Sequence, residues 1–249
     1  MNEFNKRMSI LNKGKSKIID TILRLQPDVV LDLGAGQCVI GLELAKKGYS
    51  GHIIAVDKEI SKTFTKKDKN EVYTMSLGDF VDQAEVQVLK HKKVAIVLSA
   101  VLHELDIDEY TKVQTLVTDI NQIAADLTVF IREPYYDDKL IYRPICPDFA
   151  KDEKFNDYRL ENKKSWAMQN GIPLDVMYMN YLFLLAYGPD SWDREKSEGR
   201  FTFSLEQIQD FIASTGLSVV YKYYERDEMY KNIPVRYSSC LFVCGRKER

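Results

Sequence analysis

The sequence predicts an α/β fold with a doubly wound, mostly parallel sheet whose two faces are covered by helices. Three observations predict it: short segments that are apolar throughout, stretches of helical periodicity between them, and the alternation of the two over residues 28–132. Strands without a polar face are typical of a parallel sheet buried on both sides. With 249 residues, of which 45% are hydrophobic and 29% charged, the chain can bury such a sheet and is too apolar for a disordered protein.

The elements of the first half follow in order from the N-terminus. Apolar residues at helical spacing up to residue 25 predict a helical segment over 1–26. An apolar strand over 28–33 then enters a tight turn at Gly34-Ala35-Gly36, and a helix over 39–47 ends at Gly48. The remaining elements are predicted as a strand over 52–57, a polar helix or loop over 61–69, a strand over 71–75, a helix over 83–90, a strand over 93–99, a helix over 108–125 and a strand over 127–132.

The regular alternation ends after the fifth strand. Residues 134–200 are rich in proline, charge, tyrosine and tryptophan, and we interpret them as an insertion that forms a lid or a substrate-binding segment within one domain over 27–249. Ser204 then predicts the N-cap of a helix over 205–214. Strands over 217–224 and 238–245 are expected to form an antiparallel pair that closes the sheet edge.

Composition excludes several classes of protein. The four cysteines form no CxxC pair and no cluster with histidine, so neither a disulfide framework nor a metal site is predicted. The N-terminus lacks the apolar stretch of a signal peptide, and no run reaches the ~18 apolar residues of a membrane span, so we expect a soluble, cytoplasmic protein that does not contact a membrane. A net charge of −2 favours no class of partner, and the oligomeric state is open.

The first strand and its turn carry the most informative motif. Gly34 and Gly36 allow backbone N–H groups to approach a ligand, and Asp32 is a carboxylate beside the same turn. Asp57 ends the second strand about 20 residues on, where it is placed to accept hydrogen bonds from a ribose. A dinucleotide fingerprint requires a third glycine at position 39, which is Val39 here, and Asp32 would repel a pyrophosphate. The same carboxylate would attract the cationic amino acid part of S-adenosylmethionine, so NAD is the weaker interpretation.

At these residues the chain resembles the class I S-adenosylmethionine-dependent methyltransferases. The segment 31–36 resembles the family's first motif, and Asp57 its acidic ribose ligand. Gly78-Asp79-Phe80 resembles the family's motif that contacts adenine, in which Asp79 would lie near the adenine amino group and a neighbouring backbone N–H would contact the ring. Residues 98–104 resemble the family's motif at the end of the fourth strand. Cys38 departs from the glycine that the family often has there. The resemblance implies that the cofactor is S-adenosyl-L-methionine and that it is bound by Asp32, Gly34, Ala35, Gly36, Asp57, Lys58, Gly78, Asp79, Phe80 and Ser99.

His103 is the predicted catalytic residue. It follows the fourth strand, and its ordinary pKa near 6.5 suits a general base where the acceptor must lose a proton. Glu104 is a second base, an orienting group or the first acid of the next helix. A gating or packing role for His103 remains open at this stage. For Gly78 and Asp79 an ordinary turn is the alternative, and for Cys240 and Cys244 core packing is favoured over redox chemistry.

The methyl acceptor is less constrained by the sequence. The motifs of enzymes that methylate DNA bases are absent after the fourth strand. Aromatic side chains of the insertion would suit an acceptor pocket from which water is excluded, which favours a small molecule. The lysines around 58–69 and 92–93 keep an RNA or protein acceptor open, and a module that binds the cofactor without catalysis is the third possibility. The sequence thus predicts methyl transfer to an O or N atom.

Overall fold

The protein forms an eight-stranded mixed sheet in the computed structural model, which describes residues 12–60, 70–136, 151, 153–154, 156–157, 203–226 and 238–246. The strands are β1 (Val29–Leu33), β2 (His52–Asp57), β3 (Asn70–Thr74), β4 (Lys93–Ser99), β5 (Asp126–Tyr136), β6 (Phe203–Ser204), β7 (Leu217–Arg226) and β8 (Ser238–Arg246). Their order is β3-β2-β1-β4-β5-β8-β7, and the short β6 pairs with the end of β5. Strands β1 to β5 are parallel, whereas β8 is antiparallel to both β5 and β7.

Helices cover both faces of this sheet. They are α1 (Asn12–Leu25), α2 (Val39–Lys46), α3 (Leu77–Gln83), α4 (Ile107–Ile123) and α5 (Leu205–Ser214), with 3₁₀ turns at Val86–Leu89 and Leu102–Glu104. On one face, Ile18 and Ile22 of α1 share a core with alternate residues of the strands, among them Val30 and Phe130. The other face packs against α3, α4 and α5 in a larger core. The predicted doubly wound α/β fold is therefore confirmed.

Several elements lie where the sequence predicts them. The helix predicted over 205–214 is α5, and Ser204 caps it in a reciprocal pair with Gln207. The antiparallel pair predicted at the sheet edge is β7 and β8. Cys240 and Cys244 are buried in one core as free cysteines, and burial raises the pKa of each thiol to about 12, which agrees with the packing role.

Three predictions of elements were wrong. The helix expected over 83–90 is only a 3₁₀ turn, because the helix of this region, α3, begins earlier at Leu77 behind the cap Ser76. The fifth strand does not end at residue 132 but continues to Tyr136, so the insertion expected to begin at 134 overlaps β5. The two-residue β6 was missed, since a strand of that length has no period to recognise.

Some predictions concern residues outside the described ranges. They include the start of the N-terminal segment (1–11), the lysine-rich 61–69, and nearly all of the aromatic insertion from 137 to 200. Among the described helices, none is both long and apolar enough to cross a bilayer.

Candidate functional site

The turn after β1 depends on its two glycines for different reasons. Gly34 has a positive φ of +76°, and a Cβ atom there would lie 2.3 Å from Cγ2 of Val101, so no other residue fits. Gly36 also has a positive φ, of +53°, but a Cβ there would meet nothing within 4 Å. The turn is therefore packed tightly on one side and open on the other, where a ligand can approach the backbone.

Asp57, at the end of β2, accepts a hydrogen bond from the backbone of this turn. Its Oδ2 accepts a hydrogen bond from the Gly36 N–H (2.8 Å) and its Oδ1 accepts one from the Glu59 N–H (2.8 Å). Since an ionised carboxylate offers about four lone-pair sites, two hydrogen bonds leave capacity for the ribose hydroxyls that the sequence assigned to it. Asp57 thus has a structural role that sequence reasoning did not foresee.

Asp32 is the buried acid of the site. Its side chain is 2% exposed, and burial raises its pKa to about 7, with the Lys15 ammonium opposing that rise and the Asp57 carboxylate adding to it. A buried carboxylate is expected to need a partner. The cation whose field acts on Asp32 is the ammonium of Lys15, a residue of α1.

Ser99, which ends β4, lies on the same face of the sheet. Strand alternation places it with Val97 and Ala95, the β4 residues of the core beneath α1. Its Oγ is buried and makes no hydrogen bond to any described residue. Because buried hydroxyls are nearly always satisfied, this atom points to a ligand, and the open backbone at Gly36 fits the same interpretation. The residues present therefore fit a nucleoside-type cofactor.

The segment predicted to contact adenine, Gly78-Asp79-Phe80, lies at the start of helix α3. Asp79 is exposed in the first turn, where its N–H donates to Ser76 Oγ (3.0 Å) and its Oδ2 accepts from that hydroxyl (2.8 Å). Gly78 is buried against α4, because a Cβ there would lie 3.3 Å from Glu109 Cγ. The turn considered as an alternative for this pair is therefore a capped helix start.

Of two further residues predicted to bind the cofactor, Phe80 is buried and Lys58 is exposed. The Phe80 ring is buried and packs edge-on against Tyr73 at 5.4 Å, and the Phe80 N–H already donates to the Ser76 carbonyl (3.1 Å). Lys58 is exposed beside Asp57.

His103 is held by a glutamate from the neighbouring strand. Glu133 of β5 is fully buried, and its Oε2 lies 2.7 Å from His103 Nδ1. Its Oε1 accepts hydrogen bonds from the N–H groups of Val101 (2.8 Å) and Leu102 (2.9 Å). Because a carboxylate only accepts, Nδ1 carries the proton and the lone pair of a neutral ring lies on Nε2. Glu104 Oε1 is 3.9 Å from that Nε2.

Sequence reasoning missed Glu133. The signal was present, since two charged residues, Arg132 and Glu133, follow the apolar residues of the strand predicted over 127–132. Both are buried in the structure. Charged residues are seldom fully buried unless they are paired.

The two halves of the site touch each other. Val101, whose N–H is held by Glu133, is the residue whose side chain leaves room only for glycine at position 34. The turn that positions His103 therefore packs directly on the turn that would hold the methionine part of the cofactor. The other two described histidines lie elsewhere, since His52 begins β2 and His91 is exposed on a loop, as the sequence predicts.

Two residues beside the site have backbone strain. Cys38 and Ala100 have φ values of +53° and +59°, in the left-handed region that favours glycine. A left-handed backbone favours glycine, which is the residue that the resembled family often has at the position of Cys38. Burial, with the fields of Asp32 and Asp57 added, raises the pKa of the Cys38 thiol to about 11, so this cysteine is not a nucleophile at neutral pH.

Several solved methyltransferases have a similar fold. The 1,6-didemethyltoxoflavin-N1-methyltransferase of Burkholderia thailandensis, solved with 1,6-didemethyltoxoflavin and S-adenosylhomocysteine, matches with a TM-score of 0.52 and 13% identity over 95% of this chain and 78% of that one. The plantazolicin methyltransferase BamL, in complex with a desmethylated plantazolicin analogue and S-adenosylhomocysteine, gives 0.52 and 10% over 98% and 88%. The mycolic acid cyclopropane synthase CmaA1, complexed with S-adenosylhomocysteine, gives 0.52 and 11% over 92% and 83%.

At the level of sequence the chain matches neither a protein-family model nor a curated protein. The similarity of fold is nevertheless extensive, because it covers nearly the whole chain in each case. The fold is thus one that these solved proteins share, and it agrees with the fold that the resemblance on the glycine turn and the strand ends implies.

Proposed function

We propose that the protein transfers the methyl group of S-adenosyl-L-methionine to an O or N atom of a small molecule. The observation that carries this proposal is the contact between Gly34 and Val101, which joins the glycine turn to the turn of the His103–Glu133 pair. Methyl transfer to a protonated acceptor requires a candidate base near the cofactor, and here the glycine turn packs against the turn that carries His103. The fold shared with methyltransferases that were solved with S-adenosylhomocysteine supports the same chemistry.

The cofactor would be bound across the carboxyl ends of β1, β2 and β4. When bound, it supplies a methyl group made electrophilic by the sulfonium. Asp57 accepts hydrogen bonds from the ribose, Gly34, Ala35 and Gly36 present the backbone to the methionine part, and Ser99 offers its unpaired hydroxyl. Asp79, exposed at the start of α3 next to Gly78, is the residue we assign to the adenine amino group.

His103 would remove the proton of the acceptor. Glu133 holds the ring through Nδ1, so Nε2 is the atom that takes the proton, and a buried carboxylate beside the ring stabilises the imidazolium that forms. Glu104 Oε1 lies 3.9 Å from Nε2, too far for a direct hydrogen bond, so its part is to add a negative charge beside the imidazolium that forms. Positioning contributes the rest, since displacement at a methyl carbon requires the acceptor to be in line with the bond that breaks.

The acceptor is proposed to be a small molecule. The methyltransferase of B. thailandensis was solved with the small molecule 1,6-didemethyltoxoflavin, and BamL with a triazolic desmethyl-plantazolicin analogue.

The test is a labelling experiment with S-adenosylmethionine that carries a tritiated methyl group. The protein is incubated with an extract of its source organism that has been separated into small-molecule, RNA and protein fractions. We expect label in the small-molecule fraction with the wild-type protein and much less label with Asp57→Asn at a cofactor concentration that does not saturate the variant. Label in RNA or protein would contradict the proposed acceptor class. No transfer to any fraction would contradict the enzymatic function.

A further inference from the structure

The end of strand β5 carries a buried tyrosine whose hydroxyl has no partner in the described part of the fold. β5 continues beyond Arg132, which pairs with the last residue of β4, and Tyr135 lies in this extension. Its side chain is 3% exposed. The hydroxyl oxygen is buried and makes no hydrogen bond to any residue within the described ranges. Because buried hydroxyls are nearly always satisfied, this atom points to a ligand.

A second buried tyrosine shows the contrast with a structural hydroxyl. Tyr49 donates its hydroxyl proton to the carbonyl oxygen of Pro27 at 2.6 Å. Phenylalanine at position 135 would fill the core as well as tyrosine and would bury no unsatisfied O–H group. Packing alone therefore does not explain a tyrosine there, since its hydroxyl lowers stability unless a ligand forms a hydrogen bond with it.

Tyr135 lies on the same face of the sheet as the His103–Glu133 pair. Ile131 and Tyr135 both belong to the core against α3, α4 and α5, and strand alternation places Glu133 between them on that face. Residues two apart on a strand are separated by roughly 7 Å. The Tyr135 side chain therefore leaves the strand roughly 7 Å beyond the carboxylate that holds His103, on the side away from the end of β4.

Aromatic rings surround Tyr135 at this end of β5. Tyr135 pairs with Phe203 of β6, whose ring stacks on that of Tyr110 with the centroids 6.1 Å apart. The Tyr224 ring packs edge-on against the Tyr135 ring at 5.7 Å. Tyr110 belongs to α4, which follows the turn of His103, so the rings lie at the same end of the sheet as the candidate base. Apolar rings around a single polar atom are typical of a ligand pocket, in which few polar groups fix the orientation.

We propose that Tyr135 donates a hydrogen bond to a second polar group of the methyl acceptor, distinct from the atom that is methylated. This inference rests on the proposed function, in which His103 faces the atom that loses a proton. A hydroxyl carried roughly 7 Å farther along the strand meets another part of the same molecule. The acceptor is thus a small molecule that carries, besides the methylated group, an oxygen or nitrogen that accepts a hydrogen bond.

The test measures how much acceptor half-saturates the enzyme. The small-molecule fraction of the extract is the acceptor, at a series of dilutions, with saturating S-adenosylmethionine that carries a tritiated methyl group. Tyr135→Phe, which removes only the hydroxyl, should raise the half-saturating amount of the fraction about tenfold or more, because a polar group of the bound acceptor is left unsatisfied. The rate at saturation should change little, since the contact is the same in the ground state and the transition state.

Stability separates a contact with the acceptor from a contact within the fold. In urea denaturation without acceptor, Tyr135→Phe should be at least as stable as the wild type, because it no longer buries an unsatisfied hydroxyl. Tyr49→Phe is the matched control, since it removes a buried hydroxyl that is bonded within the fold. It should be less stable than the wild type and should leave the half-saturating amount of acceptor unchanged.

The possible outcomes distinguish this inference from the proposed function. No transfer of label to the small-molecule fraction by the wild-type protein would overturn the proposed function and the inference that rests on it. Transfer with an equal half-saturating amount in Tyr135→Phe would overturn the inference alone, and so would a loss of stability or a failure of this variant to fold. Mass spectrometry of the labelled product adds a check, because a product whose only polar atom is the methylated one would contradict a second contact.

Discussion

Asp32 shows how a single residue sets the electrostatics of the site. Its carboxyl group is 2% exposed, and its pKa is raised from 3.8 to about 7, mainly because burial penalises the charged form. The folded protein therefore keeps the Asp32 proton over a pH range in which the unfolded chain has released it. Stability at this residue must fall as the pH rises from about 4 to about 7.

Replacing Asp32 by asparagine should remove this dependence on pH. Since one unit of pKa difference corresponds to about 1.4 kcal/mol, we expect Asp32→Asn to raise the free energy of unfolding at pH 8 by a few kcal/mol relative to the wild type. The gain should be small near pH 4. Urea denaturation at several pH values measures it.

An exposed acid provides the control for this prediction. Asp119→Asn on α4 should give a difference from the wild type that does not change between pH 4 and pH 8. A wild-type advantage at pH 8 over Asp32→Asn would show that the buried carboxylate stabilises the fold, contrary to this account. Weaker S-adenosylhomocysteine binding in the same variant would agree with a role for Asp32 toward the amino group.

His103 is the second residue whose role can be measured directly. We expect His103→Gln to lower kcat by about 100-fold or more, since general base catalysis contributes a factor of about 10² to 10⁴. The affinity for S-adenosylhomocysteine should be unchanged, because the imidazole is held by Glu133 and not by the cofactor turn. Equal kcat in the variant would mean that His103 only packs between its neighbours.

The sequence predicted some of these residues and not others. The glycines and Asp57 follow from a local motif, because the turn and the acid have fixed positions after strands that are themselves predictable. Glu133 is 30 residues from His103, and the pair forms only because β4 and β5 are neighbours in the sheet. The ammonium of Lys15 acts on Asp32 only because α1 packs against the sheet. Contacts of this kind depend on the order of strands, which local periodicity does not encode.

At the scale of elements, α5 is the one whose start is best defined. Ser204 Oγ accepts from the Gln207 N–H (3.1 Å), and the Gln207 side chain accepts from the Ser204 N–H (2.9 Å). Both bonds satisfy donors that the helix end would otherwise leave open. The sequence predicted the bounds of this helix correctly because the cap is local.

Removing the cap should destabilise the protein by a measurable amount. Ser204→Ala is expected to lower the free energy of unfolding by about 1 kcal/mol in urea denaturation. Ser16→Ala, an exposed serine in the middle of α1, is the matched control and should change it by less than about 0.5 kcal/mol. Equal stability of Ser204→Ala and the wild type would mean that water replaces the cap without cost.

Helix α3 explains why one element was misplaced. It has only seven residues, and its signal is the cap Ser76 with Asp79 three positions later. That signal overlaps the Gly78-Asp79 motif, and the apolar residues that follow, Val86 and Leu89, suggested a later helix. A helix this short has too few turns for periodicity to reveal it.

The whole molecule places the site where the strand order reverses. β1 lies between β2 and β4, so the chain leaving β1 turns into α2 on one face and the chain leaving β4 turns toward α4 on the other. Between these diverging connections an open α/β sheet forms its crevice. Gly34 and Val101 meet at that point. Asp57 and Ser99 end β2 and β4, Asp32 is the last but one residue of β1, and Glu133 lies in β5 just beyond the end of β4.

The most direct measurement is a pair of calorimetric titrations of the whole protein, one with S-adenosylmethionine and one with NAD. The account predicts saturable one-to-one binding of S-adenosylmethionine and no comparable binding of NAD. Asp57→Asn, which keeps an oxygen for the Gly36 N–H but loses the charge, should weaken the binding of S-adenosylmethionine about tenfold or more. No binding of S-adenosylmethionine, or a preference for NAD, would contradict the account and leave only the fold.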